Sequence, residues 1–545
     1  GNDNTALGDL TLFLNTTASS NTAIGSGAML NNTTGANNVA IGSTTLDANT
    51  TGSSNVAVGT GALTTSTTAG NNVAVGTSAL NSNTTGDLNL AIGSTALSSN
   101  TVGDRSIAIG HNALRDQAPS SNADMYNVAI GVNAGLETTT GVANTFIGGL
   151  VGDANTTGSQ NTAVGRSALG ANTTASNNTA IGQNSMASNT TGTSNTALGF
   201  ASLDANTTAH NNTAIGYDAL TTNTTGTANT AVGQGALELN STADNNTAVG
   251  KDALTANTTG TGNTAIGSLS LDGNTTASYN TAIGNEAMGN NVDGSRNTAV
   301  GYAALFTMDP DSATDTHNTA VGFESLKLNT TGTQNTALGS GALDANTTAS
   351  SGTAVGYNSL GANTTGVANV GLGQNSLASN TTASDNTALG SHSLDTNTTG
   401  ASNTGVGRNA LRANTTASNN TAVGKDSLLA NTTGTQNTSV GGSSLDANTT
   451  GNYNTAVGFG SLSANTTASE STAVGAGALQ ANTTGANNTA VGRLALGANT
   501  TGVQQVAFGS EALDANTEGN YNAAFGHGAL GSNTTASNNT GIGTY

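Results

Sequence analysis

Apolar and polar positions recur along the chain with a single period. An Ile, Val, Leu or Phe followed by Gly returns every 17 residues. With Asn4 as column 1 of the first unit, column 1 falls at 4, 21, 38, 55, 72, 89 and 106. It restarts at 127 and runs by 17 to 297, then restarts at 318 and runs by 17 to 539. The result is 32 units with the consensus N-T-A-V-G-x-x-A-L-x-A-N-T-T-G-x-x. Column 4 is apolar and column 5 is Gly in all 32. Column 9 is Leu or Met in 29 of the 31 units that reach it; Gly135 and Gly152 are the exceptions. Column 12 is Asn in 27 of the 29 complete 17-residue units, with Ser66 and Thr138 in the other two.

Seventeen residues are too few for a helical-hairpin repeat, which needs about 33 or more. Columns 1 to 5 favour a strand. Column 2 is Thr in 23 units and mostly Val in the rest, and such β-branched residues suit a pleated strand. The Gly that follows marks a bend with positive φ or a close backbone approach. A second short strand is expected through columns 8 to 11, with Leu at column 9, before Asn-Thr-Thr-Gly turns the chain back. Each unit then forms one coil of an all-β parallel β-solenoid or β-roll. Thirty-two coils at the strand spacing of about 4.7–4.9 Å predict a rod of roughly 150 Å. Stacking also predicts an Asn ladder at column 12.

Alternation divides the first strand into two faces. Columns 2 and 4 form one. Columns 1, 3 and 5 form the other, with Asn in 28 and Ala in 27 of 32 units at columns 1 and 3. A solvent-facing column normally varies, and this one stays small. Either another chain packs closely on it, the expectation favoured here, or tight coil geometry admits only small residues. Column 6 varies freely (Phe200, Tyr217, Lys251, Tyr302, Phe323, Phe459) and is expected to face solvent or a ligand. Column 10 carries Asp47, Asp153, Asp204, Asp272, Asp344, Asp395, Asp446 and Asp514, never in adjacent units. That spacing avoids like charges opposite one another in a ladder.

Composition narrows the function classes. Of 545 residues, 74 are Gly, 3% are aromatic, 7% are charged, and Trp and Cys are absent. This is one continuous repeat domain, 1–545, and not a series of conventional cores. The net charge of −20 argues against nucleic acid and anionic membranes as partners. No apolar run reaches the 18 or so residues of a membrane-spanning helix. The chain opens in column 15 and closes in column 7, without cap, anchor or leader, so it is expected to be a window of a longer chain or a filament with covered ends.

Asn-Val-Ala-Ile-Gly at 38–42 and Asn-Val-Ala-Val-Gly at 55–59 and 72–76 resemble the head repeats of trimeric autotransporter adhesins, the haemagglutinin-type repeat. The resemblance extends over all 32 units. It implies a left-handed parallel β-roll, association into a homotrimer, and a place on a bacterial surface. The family unit is shorter, at about 14 residues, so the Asn-Thr-Thr turn is a departure. The consensus is also similar to repeats of long fibre proteins.

Candidate sites are few. The units at 106–126 and 297–317 have 21 residues and contain the only two prolines, Pro119 and Pro310. Proline is excluded from a continuous ladder, so these insertions are expected to protrude from one edge as a surface bulge or a partner contact. Asp309, Asp311, Asp315 and His317 cluster in the second and form a weak metal candidate, since the EF-hand Gly and Glu are missing. Asn-Thr-Thr matches the glycosylation sequon, giving Asn49, Asn172, Asn206, Asn346 and Asn448 as acceptor candidates; Asn-Asn-Thr, as at Asn177, matches too. The Thr columns 13 and 14, repeating at about 4.8 Å along the rod, also fit ice or carbohydrate binding on a flat Thr/Asn face. The five His residues have no repeated Ser or carboxylate partner, and neither catalysis nor a cofactor is expected. The function expected is therefore a structural extracellular or cell-surface fibre or adhesin stalk. It would self-associate and could contact a carbohydrate or protein receptor. The alternatives are a filament subunit and a flat-face binding solenoid.

Overall fold

A computed structural model of the protein describes residues 1–310 and 312–545. It forms two bodies, Gly1–Thr276 and Ala277–Tyr545. In the first, three-residue strands run from Thr5–Leu7 to Thr264–Ile266, one per coil at columns 2 to 4. In the second they run from Thr281–Ile283 to Thr540–Ile542 in the same way. Pairing between successive coils is parallel and in register. Thr22, Ala23 and Ile24 lie beside Val39, Ala40 and Ile41. In the second body Val370, Gly371 and Leu372 lie beside Thr387, Ala388 and Leu389. With 32 such strands, the architecture is the expected all-β parallel solenoid of 17-residue turns. Among the described residues no helix is long and apolar enough to cross a membrane.

Column 5 shows why Gly recurs. Gly165 has φ +129°, and a Cβ there would lie 2.5 Å from the carbonyl oxygen of Gly182 in the next coil. Both the conformation and the close approach exclude a side chain.

Two expectations are corrected. The second strand through columns 8 to 11 does not form. Those residues make a run of turns, with column 9 in the left-handed region (Leu46 φ 53°, Leu203 φ 54°). Such φ values are costly for a branched side chain and persist where the surroundings over-determine them. Here the coil-to-coil hydrogen bonds continue through the turns. The Leu46 and Ala48 amides donate to Ala62 O and Thr64 O, each at 3.0 Å. The Leu46 side chain meanwhile is fully buried.

The second correction concerns the strand's two faces. Columns 1 and 3 point into the coil and columns 2 and 4 point out. Ala23, Ala40, Ala57 and Ala74 are 0% exposed, as are Asn21, Asn38, Asn55 and Asn72. The small face is therefore the molecule's own interior and is not available to another chain. A 17-residue turn is narrow, and the column 9 Leu already fills most of its width. Only a small side chain fits opposite, Ala in most coils and Ser439 in one.

The buried asparagines replace solvent with fixed partners. At column 1, Asn38 Oδ1 accepts the Asn55 backbone N–H at 2.9 Å, and Asn38 Nδ2 donates to Gly52 O at 3.0 Å. At column 12 the expected ladder is present: Asn206 Nδ2 donates to Asn189 Oδ1 at 2.7 Å and to Ala209 O at 3.2 Å. Buried amides are tolerated because almost every polar atom is satisfied in this way.

Candidate interaction surface

Columns 2 and 4 stand outward on a parallel sheet. Column 4 is the more exposed: Ile41 38%, Ile181 37%, Leu338 47% and Phe508 54%. In-register pairing lines these side chains up from coil to coil, as with Ile24 beside Ile41 and Val423 beside Val440. Each body therefore carries an uninterrupted apolar stripe flanked by the half-buried Thr and Val of column 2. No charged residue occurs in either column, although the chain carries a net charge of −20. Parallel sheets are normally covered on both faces. Here the coil interior covers one, and the other is bare. A continuous apolar stripe of exposed and half-exposed side chains makes this face the candidate interaction surface.

Column 6 is exposed, as its variability predicts. Phe200 stacks on Tyr217 in the next coil with ring centroids 5.4 Å apart, and Tyr302 stacks on Phe323 at 5.3 Å. These pairs are half-exposed platforms on the outside of a protein whose core is Ala, Leu and Asn.

The 21-residue coils share one construction. Each adds a two-residue strand, Ala123–Asp124 against Gly103–Asp104 and Thr314–Asp315 against Gly294–Ser295. Pro119 and Pro310 are themselves buried, and the exposed parts are 120–122 and 312–315. An arginine from the preceding coil clamps each insertion. Arg105 pairs with Asp124 at 2.6 Å and donates to Tyr126 Oη at 2.7 Å. Arg296 pairs with Asp315 at 2.8 Å, and its guanidinium lies 5.5 Å from the Tyr279 ring centroid. The composition of the insertions gave no sign of this clamp. Its sequence signal, an Arg at column 17 just before each long unit, becomes readable only once the coils are stacked.

The metal candidates are not drawn together. Asp315 is engaged by Arg296, while Asp309 is exposed and its amide donates to Thr330 O at 3.1 Å. His317 is exposed and left-handed at φ 54°, and Asp311 lies outside the described residues. Among the described residues no group of three His, Asp or Glu is placed to hold a metal ion.

The Asn-Thr-Thr acceptor candidates are the column 12 ladder itself. Asn49, Asn172, Asn206, Asn346 and Asn448 are at most 1% exposed. Each Nδ2 donates to the preceding coil's Asn, as Asn172 does to Asn155 at 2.8 Å and Asn448 to Asn431 at 2.8 Å. Column 13 hydroxyls are engaged as well, with Thr33 Oγ1 donating to Thr50 O at 2.9 Å.

Column 10 carboxyls are partly buried beside the coil. Burial pushes Asp47, Asp153, Asp204, Asp344 and Asp446 above the usual carboxylate range, with backbone hydrogen bonds opposing the rise in the last four. His392 Nδ1 lies 2.9 Å from Asp395. No protein-family model matches the chain, and no curated protein matches it.

Proposed function

We propose that the chain is a structural, non-catalytic segment of an extracellular or cell-surface fibre, of the adhesin-stalk kind, and that it self-associates as a homotrimer through columns 2 and 4. The observation that carries this reading is the outward column 4, apolar in all 32 units. A standard interface uses about 20–30 residues a side, and this single column supplies that number. A second copy is the partner whose surface matches such a stripe in length and period. The stripe carries no charge, so copies of an acidic chain can meet there without juxtaposing carboxylates. The resemblance to trimeric adhesin head repeats supports the same stoichiometry. Column 6, with its stacked aromatic pairs, is left outward for a carbohydrate or protein receptor.

Light scattering on the 52.6 kDa chain tests the proposal. A threefold mass is expected, and a monomer contradicts it. A very large, concentration-dependent mass would replace it with the filament subunit. A second reading draws on column 2, where Thr in 23 units alternates with column 4 apolar groups on a regular lattice. Such a face could order water, and thermal hysteresis by a monomeric chain would favour that reading over the fibre.

A further inference from the structure

All but two of the sequons fall into two structural classes, and only one of these is open to chemistry in the folded chain; the exceptions are Asn437, fully buried at column 1, and Asn31 at column 11. In the Asn-Thr-Thr class the acceptor nitrogen is buried and held by two carbonyl-type oxygens. For Asn206 these are Asn189 Oδ1 at 2.7 Å and Ala209 O at 3.2 Å. This class also recurs on nearly every coil, at about 4.7–4.9 Å, which leaves no width for a sugar on each.

Six of the seven Asn-Asn-Thr sequons occupy column 17, the corner before the strand: Asn177, Asn211, Asn245, Asn419, Asn487 and Asn538. The seventh, Asn31, stands at column 11, where its Nδ2 donates to Asp47 O at 3.0 Å. All six are exposed and left-handed, with φ between 59° and 63°. Their backbone amides bond to the preceding coil, as Asn177 N does to Ser159 O at 3.1 Å. Among the described residues their side-chain amides make no hydrogen bond within the protein. Asn177, Asn211 and Asn245 are spaced by 34 residues, that is two coils or roughly 9–10 Å. No two of the six lie on adjacent coils.

We propose that the protein is N-glycosylated along this edge, at these six asparagines, and not at the Asn-Thr-Thr asparagines. The donor is a sugar diphosphate of the nucleoside or polyprenyl class. The Nδ2 nitrogen forms a bond to the anomeric carbon, the bond from that carbon to the diphosphate oxygen breaks, and the diphosphate leaves with the electron pair. The displaced Nδ2 proton passes to a base of the transferase. The edge lies outside the column 2 and 4 stripe, so the inference goes beyond the fibre reading and its test does not depend on oligomeric state.

Peptide mass mapping of the full chain from its source, after cleavage at acidic residues, tests the assignment. Saccharide masses are expected on the six column 17 peptides and on none of the Asn-Thr-Thr peptides. Six bare asparagines, or a sugar on Asn49, Asn172 or Asn206, would overturn it. A variant with all six changed Asn→Gln should lose the whole added mass and keep its fold. Gln already occupies this column in the same conformation at Gln160 and Gln436, both at φ 58°. Residual saccharide on that variant would also overturn the assignment.

Discussion

Phe146 fills the space that two leucines fill elsewhere, and Gly152 concedes it. A Cβ on Gly152 would lie 2.6 Å from Phe146 Cε1, and one on Gly135 would lie 2.8 Å from Phe146 Cδ2. Phe146 is the one fully buried aromatic side chain among the described residues. It stands at column 3, where Ala is the rule, in the second of the only two units that lack Leu or Met at column 9, after Gly135 and before Gly152. The three positions form one packing unit. Phe146→Ala should cost about 3–5 kcal/mol by opening a cavity. Adding Gly135→Leu and Gly152→Leu to it rebuilds the consensus coil and should bring stability back to within about 1 kcal/mol, a non-additivity expected of contacting residues. Amide hydrogen exchange on coils 127–160 reads both.

The column 12 ladder is interrupted at Ser66. Asn49 donates to Asn32 Oδ1 at 2.7 Å, but its own Oδ1 is buried with no donor, as is Ser66 Oγ. The serine is too short to reach. Ser66→Asn should supply the missing donor and raise local stability by about 1 kcal/mol. Slower exchange of the amides in coils 38–88 is the expected readout, and unchanged exchange would mean that the ladder contributes little.

Gly165 and Gly460 separate two uses of glycine. A Cβ at Gly165 meets Gly182 O, whereas at Gly460 nothing lies within 4 Å. Column 7 already accepts a left-handed alanine at Ala201, φ 49°. Gly165→Ala should break coil stacking at a cost of about 4 kcal/mol or more, and Gly460→Ala should stay within about 0.5 kcal/mol. Limited proteolysis near each site distinguishes them.

Acid should stabilise the protein. Burial raises the folded pKa of Asp153, Asp204, Asp344 and Asp446 above the ordinary aspartate value of 3.8. Between that raised value and 3.8 the folded chain binds protons that the unfolded chain has released. Stability therefore rises as pH falls through this window and levels off below it. A thermal midpoint higher at mildly acid pH than at neutrality is expected. Changing the four to Asn should flatten the profile, and a profile that falls from neutrality towards pH 3.8 would contradict this account.

The period, the Gly bend, the column 12 ladder and the outward column 6 were legible because each depends on repetition, which one chain displays many times. The orientation of the strand was not. Val and Ile at column 4 have the chemistry of a core and Asn at column 1 that of a surface, so hydropathy favoured the wrong face. Coil width decides instead. Once Leu203 reaches across the turn, only Ala197 fits opposite, and Asn195 can be inside because Ala209 O and the next coil's amide satisfy it. The left-handed Leu at column 9 was hidden for a related reason. Leucine has no preference for that conformation, and hydrogen bonds and packing from neighbouring coils impose it. The Arg105 and Arg296 clamps depend on contacts between units and cannot be seen within any one unit.

The central claim is that column 3 faces inward while column 4 faces a second copy of the chain. The protein has no cysteine, so single thiols report without background. Ala180 is 0% and Ile181 37% exposed within one chain, with Gln183 outward at column 6. Maleimide labelling and oxidative cross-linking of Ala180→Cys, Ile181→Cys and Gln183→Cys test the claim directly. The expected result is an unreactive Cys at 180, a freely labelled Cys at 183, and a Cys at 181 that resists labelling yet cross-links copies into covalent dimers. Rapid labelling at 181 without cross-linking would contradict the interface, and rapid labelling at 180 would contradict the orientation of the strand.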